Sequence, residues 1–255
     1  MLTSVKSLSG FNLKGIDGDF GTVQEFLFDD QHWAVRYLVA DTGTWLTDRQ
    51  VLLSPYSLGA IDKPKRHIGV KLTRKQIEES PVLSSDLPVS KQFESLYHAY
   101  YGWPNYWAGS YIWGMQAIPL VGLENPKHEN SDGTQWNPHL RSTLAVGKYT
   151  IESTEGEIGR VVDFIVDEES WAICYMVVAT GNWWQGKHVL IAARWIDKVS
   201  WDEGKVFVNL KRDQIRNSPE YNTLGAITRE YELELHGHFN REGYWVDQKT
   251  SGPPS

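Results

Sequence analysis

The sequence predicts a mainly β protein built of two tandem, small antiparallel β-barrels, each followed by short helices. Three observations carry the prediction. Trp33, Tyr37, Gly43, Trp45 and Val51 recur as Trp171, Tyr175, Gly181, Trp183 and Val189, always 138 positions later and without a gap from Ser4 and Ser142 to Trp107 and Trp245. Within each copy, short apolar runs alternate with glycine and aspartate turn signals at close spacing, the pattern of a small antiparallel barrel or sandwich. Each copy then closes on helix-cap and proline-stop signals. The organisation that follows is a first repeat over 1–107, an unmatched segment over 108–138, a second repeat over 139–245 and a tail over 246–255, ending Gly252-Pro253-Pro254-Ser255 and expected to be disordered.

Taken in order, Gly18-Asp19-Phe20-Gly21 reads as a turn, Thr22 to Phe28 as a strand, Asp29 to His32 as a second turn and Trp33 to Ala40 as another strand. The second copy repeats this with Gly156-Glu157-Ile158-Gly159, Arg160 to Val166, Asp167 to Ser170 and Trp171 to Val178. Paired glycines suit a tight hairpin because positive φ costs glycine nothing. Val51 to Leu53 and His67 to Leu72 read as further strands, matched by Val189 to Ile191 and Lys205 to Leu210. Thr73 with Gln76 makes a capping box for a short helix stopped by Ser80-Pro81, with Ser218-Pro219 stopping its counterpart. Ser90 and Thr228 are N-cap candidates for helices to about Tyr101 and Phe239. In the unmatched segment, Ala108 to Leu123 is apolar and aromatic, whereas Glu124 to Pro138 is polar and reads as a flexible linker.

A net charge of −7 over 255 residues offers phosphate backbones no general attraction, so nucleic acid is not an expected partner. The basic turn Lys63, Lys65, Arg66, His67 reads as a solvated hairpin. Cys174 stands alone, which rules out an intramolecular disulfide. Met1 to Gly10 lacks the features of a signal peptide, and Ala108 to Leu123 is too short and too interrupted for a membrane span. The expectation is a cytoplasmic protein.

The ordered set Gly18, Gly21, Phe26, Asp29, Trp33, Tyr37, Gly43, Trp45, Val51, Leu52, repeated as Gly156, Gly159, Phe164, Asp167, Trp171, Tyr175, Gly181, Trp183, Val189, Leu190, resembles the PRC-barrel family. That family includes the cytoplasmic part of the photosynthetic reaction-centre H subunit and the C-terminal domain of a bacterial ribosome maturation factor. The resemblance implies a small all-β barrel used for docking or assembly, with no catalytic residues to carry over. The chain shows neither the transmembrane helix of an H subunit nor the additional N-terminal domain of the maturation factor, and looks more like bacterial proteins with tandem PRC-barrels.

No catalytic, cofactor-binding or metal site is expected. Glu94 and His98, like Glu232 and His236, are four apart on a helix and read as an i,i+4 pair, too few ligands for a closed metal site. His238 adds an imidazole in one copy only, where the first has Tyr100. Cys174, between Ile173 and Tyr175 in mid-strand, reads as a buried, inert thiol. Asp29-Asp30 and Asp167-Glu168-Glu169 read as turn carboxylates.

Tryptophan is the outlier, with 12 residues. Trp33, Trp45, Trp171 and Trp183 are matched and read as core or barrel-closing. Trp184, Trp195 and Trp201 belong to the second copy alone, and either repack its core or form an interaction surface. Trp103, Tyr106, Trp107, Tyr111 and Trp113 complete that candidate surface; the stretch Tyr100 to Trp107 either staples the helix to the barrel or faces a partner. The strand beginning at Trp33 bears Arg36 on its second face, suggesting water there, whereas Cys174 leaves both faces of the second copy's strand uncharged. A strand apolar on both sides is normally covered on both sides. The expected cover is Ala108 to Leu123 or a homodimer partner.

The functional expectation is a non-catalytic docking or assembly module. The alternatives are a peripheral component of a membrane complex, or a metal-binding or enzymatic role confined to one copy.

Overall fold

In the computed structural model, residues 1–46, 50–82, 89–121, 137, 139–181 and 186–246 are described. The first repeat runs β1 (Leu2–Ser4), α1 (Val5–Leu8), β2 (Asn12–Gly15), β3 (Gly18–Asp29), β4 (Ala34–Asp41), β5 (Val51–Leu53), a 3-10 turn Pro55–Ser57, β6 (Leu58–Asp62), β7 (His67–Val70), α2 (Arg74–Glu78) and α3 (Lys91–Tyr101). The second repeats this order with β8 (Leu140–Ser142), α4 (Thr143–Val146), β9 (Thr150–Ser153), β10 (Gly156–Asp167), β11 (Ile173–Thr180), β12 (His188–Ala192), a 3-10 turn Ala193–Trp195, β13 (Ile196–Ser200), β14 (Lys205–Val208), α5 (Arg212–Arg216) and α6 (Arg229–His238).

The protein is mainly β, with two seven-stranded sheets. One has the order β5-β4-β3-β2-β7-β6 with β8 on β3, and the other β12-β11-β10-β9-β14-β13 with β1 on β10. Along both six-strand paths pairing is antiparallel except β2 with β7 and β9 with β14, and β8 is antiparallel to β3. Among the described residues neither sheet closes on itself. The chain divides into two units: Met1, Thr3–Leu144 and Asp167–Ala172 form one, and Leu2, Ala145–Val166 and Ile173–Ser255 the other. The unmatched residues through 121 therefore belong to the first unit, as do β8 and the turn Asp167–Ala172.

The hairpin turns fall two residues earlier than the glycine pairs suggest. Gly15 pairs with Gly18 and Ser153 with Gly156, so Gly18 and Gly156 already begin long strands. Gly21 and Gly159 instead allow a close approach, since a Cβ at either would collide with the backbone carbonyl of Asp41 or Ala179 on the adjacent strand. Both long strands carry bulges at equivalent places, between Val23 and Glu25 and between Val161 and Asp163. Trp33 and Trp171 hold φ of 52° and 56°, which delays β4 to Ala34 and β11 to Ile173.

The helix signals carry through. The Thr73 hydroxyl and Gln76 side chain form the capping box of α2, and the Ser90 and Thr228 side chains cap α3 and α6 by accepting from Phe93 N and Tyr231 N. Gly102, at φ 70°, ends α3. In each unit the core centres on the second strand of the main hairpin. Ala34 to Ala40 are buried without interruption, and Arg36 is among them with no exposed surface.

Candidate functional site

β4 and β11 are buried on both faces, so a polar side chain on either must find its partners inside. Tyr37 finds them on α3. Its hydroxyl donates to Glu94 Oε1 at 2.9 Å and lies 3.0 Å from His98 Nε2. Glu94 and His98 are one turn apart on the inner face of α3, and both are fully buried. Tyr106, beyond the helix, donates to the same Glu94 Oε1 at 2.7 Å, and Asn137 Nδ2 donates to Oε2 at 2.7 Å. His98 Nδ1 lies 2.8 Å from the Pro104 carbonyl, so the ring ties α3 to the segment after it. Burial pushes the Glu94 carboxyl above its ordinary range, although Tyr106, Asn137, Tyr37 and Arg36 all pull the other way. Burial and then the Glu94 charge push the Tyr37 hydroxyl well up, as they do Tyr106.

The second unit carries the same trio 138 positions on. Tyr175 donates to Glu232 Oε1 at 2.8 Å and lies 3.0 Å from His236 Nε2, while His236 Nδ1 faces the Glu242 carbonyl at 3.1 Å. One partner differs. Arg229 Nη1 is 2.9 Å from Glu232 Oε2, the oxygen position that neutral Asn137 occupies in the first unit. Burial, followed by Arg194 and Arg229, makes the His236 ring harder to protonate than an ordinary histidine, against the carbonyls that favour its charged form. Spacing alone reveals Glu94 with His98, but their meeting point is a tyrosine hydroxyl 57 residues before the glutamate.

Beside the first trio lies a second cluster. Arg36 Nη2 pairs with Asp29 Oδ2 at 2.9 Å, and Nη1 donates to the Ile112 carbonyl at 2.5 Å. The guanidinium sits 3.9 Å from the centre of the Tyr106 ring and 4.9 Å from that of Trp113. Burial raises Asp29, but Arg36, then His32 and the Gln31 amide, outweigh it and hold the carboxyl below its ordinary value. The side chain expected to face water is thus enclosed by protein: Asp29 pairs the charge, the Ile112 carbonyl and the Tyr106 and Trp113 rings cover the guanidinium, and its Nε has no hydrogen-bond partner among the described residues. This also corrects the destination of the unmatched segment. Trp113 is buried on Arg36 in the first unit, and its Nε1 donates to Ser170 O in the turn counted with that unit. The segment is packed at its centre only, since Tyr111, Met115, Leu120 and Val121 are exposed.

The candidate interaction residues separate accordingly. Trp103, Tyr106, Trp113 and Trp195 are buried and serve the core, whereas Trp107 and Tyr111 are exposed and Trp201 is half-buried against Tyr149. The matched Trp107 and Trp245 lie 5.4 Å from the His98 ring and 4.9 Å from the His236 ring, and each unit adds a second indole from a different element, Trp103 at 5.9 Å from His98 and Trp195 at 4.9 Å from His236. Trp184, with Trp183, lies outside the described residues, as does Glu124 to Pro138 except Asn137 and the tail beyond residue 246. Asn137, placed in that linker from sequence, is buried against Glu94. Cys174 is buried as expected. Asp29 and Asp167 do act as turn carboxylates, accepting from Gln31 N at 2.8 Å and Ser170 N at 3.0 Å. The basic turn is a hairpin in which Lys65 pairs with Asp62.

No family model matches the chain. Over 132 residues it is 30% identical to an uncharacterized protein of Deinococcus radiodurans, a match covering 50% of this chain and 45% of that protein. The chain therefore spans less than half the length of this relative. Among the described residues, no helix is long and apolar enough to cross a membrane.

Proposed function

We propose that the chain is a non-catalytic docking or assembly module made of two PRC-barrel units, and that its protein partner binds α3 and the stretch following it in the first unit. The observation that carries this reading is the exposure of Leu96, Tyr100, Trp107, Tyr111, Met115 and Leu120 along one run of chain, beside the buried Tyr37–Glu94–His98 and Arg36–Asp29 clusters. Large apolar side chains gathered on a surface mark interaction sites more often than solvent-facing ones. The buried Tyr–Glu–His and Arg–Asp clusters support the same reading, because their polar groups are spent on holding α3 and the Trp113 lid in place. The aromatic anchors are then presented from a rigid base, which lowers the ordering cost of binding.

A photo-crosslinking amino acid at Tyr111 or Met115 in the native host tests this. The expected result is a discrete protein adduct that disappears when Leu96 and Leu120 are replaced by Glu. A self-adduct would assign the surface to a homodimer, and a lipid adduct to a peripheral membrane role. Absence of any adduct at either position would overturn the docking assignment.

A further inference from the structure

The hydrogens in the first trio do not suffice unless one extra proton is present. The Pro104 carbonyl can only accept, so His98 Nδ1 carries a hydrogen. Asn137 uses its two amide hydrogens on Glu94 Oε2 and the Tyr106 hydroxyl oxygen. Three contacts remain: Tyr37 with Glu94, Tyr37 with His98 Nε2, and Tyr106 with Glu94. The two phenols supply two hydrogens. A third must come from a protonated Glu94 carboxyl or from His98 Nε2, and these two states interconvert by moving hydrogens across the Tyr37 hydroxyl. The same deficit holds in the second unit, where the Glu242 carbonyl fixes the hydrogen on His236 Nδ1, and Tyr175 bridges Glu232 and His236.

We propose that each unit contains a buried proton-binding site, Glu94–Tyr37–His98 and Glu232–Tyr175–His236, that shares one proton through the tyrosine hydroxyl, and that the second site releases its proton at lower pH than the first. The difference lies in what touches the carboxylate. Arg229 places a cation 2.9 Å from Glu232 Oε2, whereas Asn137 brings no charge to Glu94, and the residue equivalent to Arg229 is the exposed Lys91. A neighbouring cation opposes the addition of a proton to the carboxyl–imidazole pair.

The other charged or titratable groups around each site point the same way. Around His98 they are Arg36 on β4, its partner Asp29 on β3, Tyr56 on the 3-10 turn, Tyr97 on α3 and Tyr106 beyond it. The Arg36 charge is matched by Asp29 at 2.9 Å. Around His236 they are Cys174 on β11, Arg194 on the 3-10 turn, Arg229 on α6, and Arg241 and Tyr244 beyond it. Three arginines thus surround the second site.

Side-chain 15N NMR of the full chain labelled at histidine tests the inference. The Nε2 signals of His98 and His236 are expected to titrate with midpoints about one pH unit or more apart, His236 lower. Arg229→Gln, a change at a half-exposed side chain, should move the His236 midpoint upward and leave His98 in place. Tyr37→Phe should uncouple His98 from Glu94; if it fails to fold, the Arg229→Gln titration still decides. Equal midpoints, the reverse order, or no movement in Arg229→Gln would overturn the proposal.

Discussion

At position 36 the two copies make opposite choices. The chain places a fully buried guanidinium there, and at the equivalent position 174 a buried thiol. Removing one partner of a buried ion pair strands the other, which costs about 3–5 kcal/mol. Arg36→Cys, which writes the second copy's residue into the first, should therefore lower stability by roughly that amount in urea unfolding. Asp29 and Glu94 give the first unit opposite pH responses. Asp29 has a lowered carboxyl pKa, so its contribution is present above the ordinary aspartate range and is lost as pH falls through the lowered value. Glu94 has a raised one: its contribution is full below the ordinary glutamate range and is lost as pH rises through the raised value. Urea midpoints of Glu94→Gln should accordingly fall less than those of the unaltered chain as pH rises above the ordinary glutamate range. Little of this is legible in the sequence. Alternation along β4 shows which side chains share a face but not that the Ile112 carbonyl, 76 residues away, will meet the guanidinium. The Glu94–His98 spacing is visible, and its tyrosine is not.

At the scale of elements, local signals serve best where the chemistry is local. Thr73, Ser90 and Thr228 each cap the helix that follows, because a hydroxyl needs only the next turn's amides. Glycine is more ambiguous. Gly21 and Gly159 read as turn formers, but they make room for the neighbouring strand's carbonyl, and a missing Cβ looks the same in either role. The turn Asp167–Ala172 shows where element-level reading ends. It belongs to the second repeat by sequence and to the first unit by packing, with Trp171 5.9 Å from Phe26 and Val35 N donating to Trp171 O at 2.9 Å. Trp171→Ala should remove about 3–5 kcal/mol. Hydrogen exchange checks the assignment, with lost protection expected at Val35 and its neighbours on β4.

For the whole molecule, the backbone repeats more faithfully than its interior. Equivalent strands and bulges and the caps Ser90 and Thr228 keep the 138-residue offset, while the lid over β4, the cation beside the glutamate and the second indole beside the histidine differ. The offset makes the architecture legible, since core and turn residues must recur wherever a fold recurs. It conceals Asn137 and Trp113, which lie in the one segment without a counterpart. The placement of β8 has a further consequence. Its Leu140, Arg141 and Ser142 pair with Asp29, Phe28 and Leu27, so a chain ending at residue 138 would leave that end of β3 bare. Such a fragment should show lost exchange protection at Leu27 to Asp29, restored when residues 139–255 are supplied as a separate polypeptide. A duplication arranged this way has ceased to be redundant. A breakpoint at the boundary of the sequence repeats would take from the first sheet the strand that the second repeat lends it.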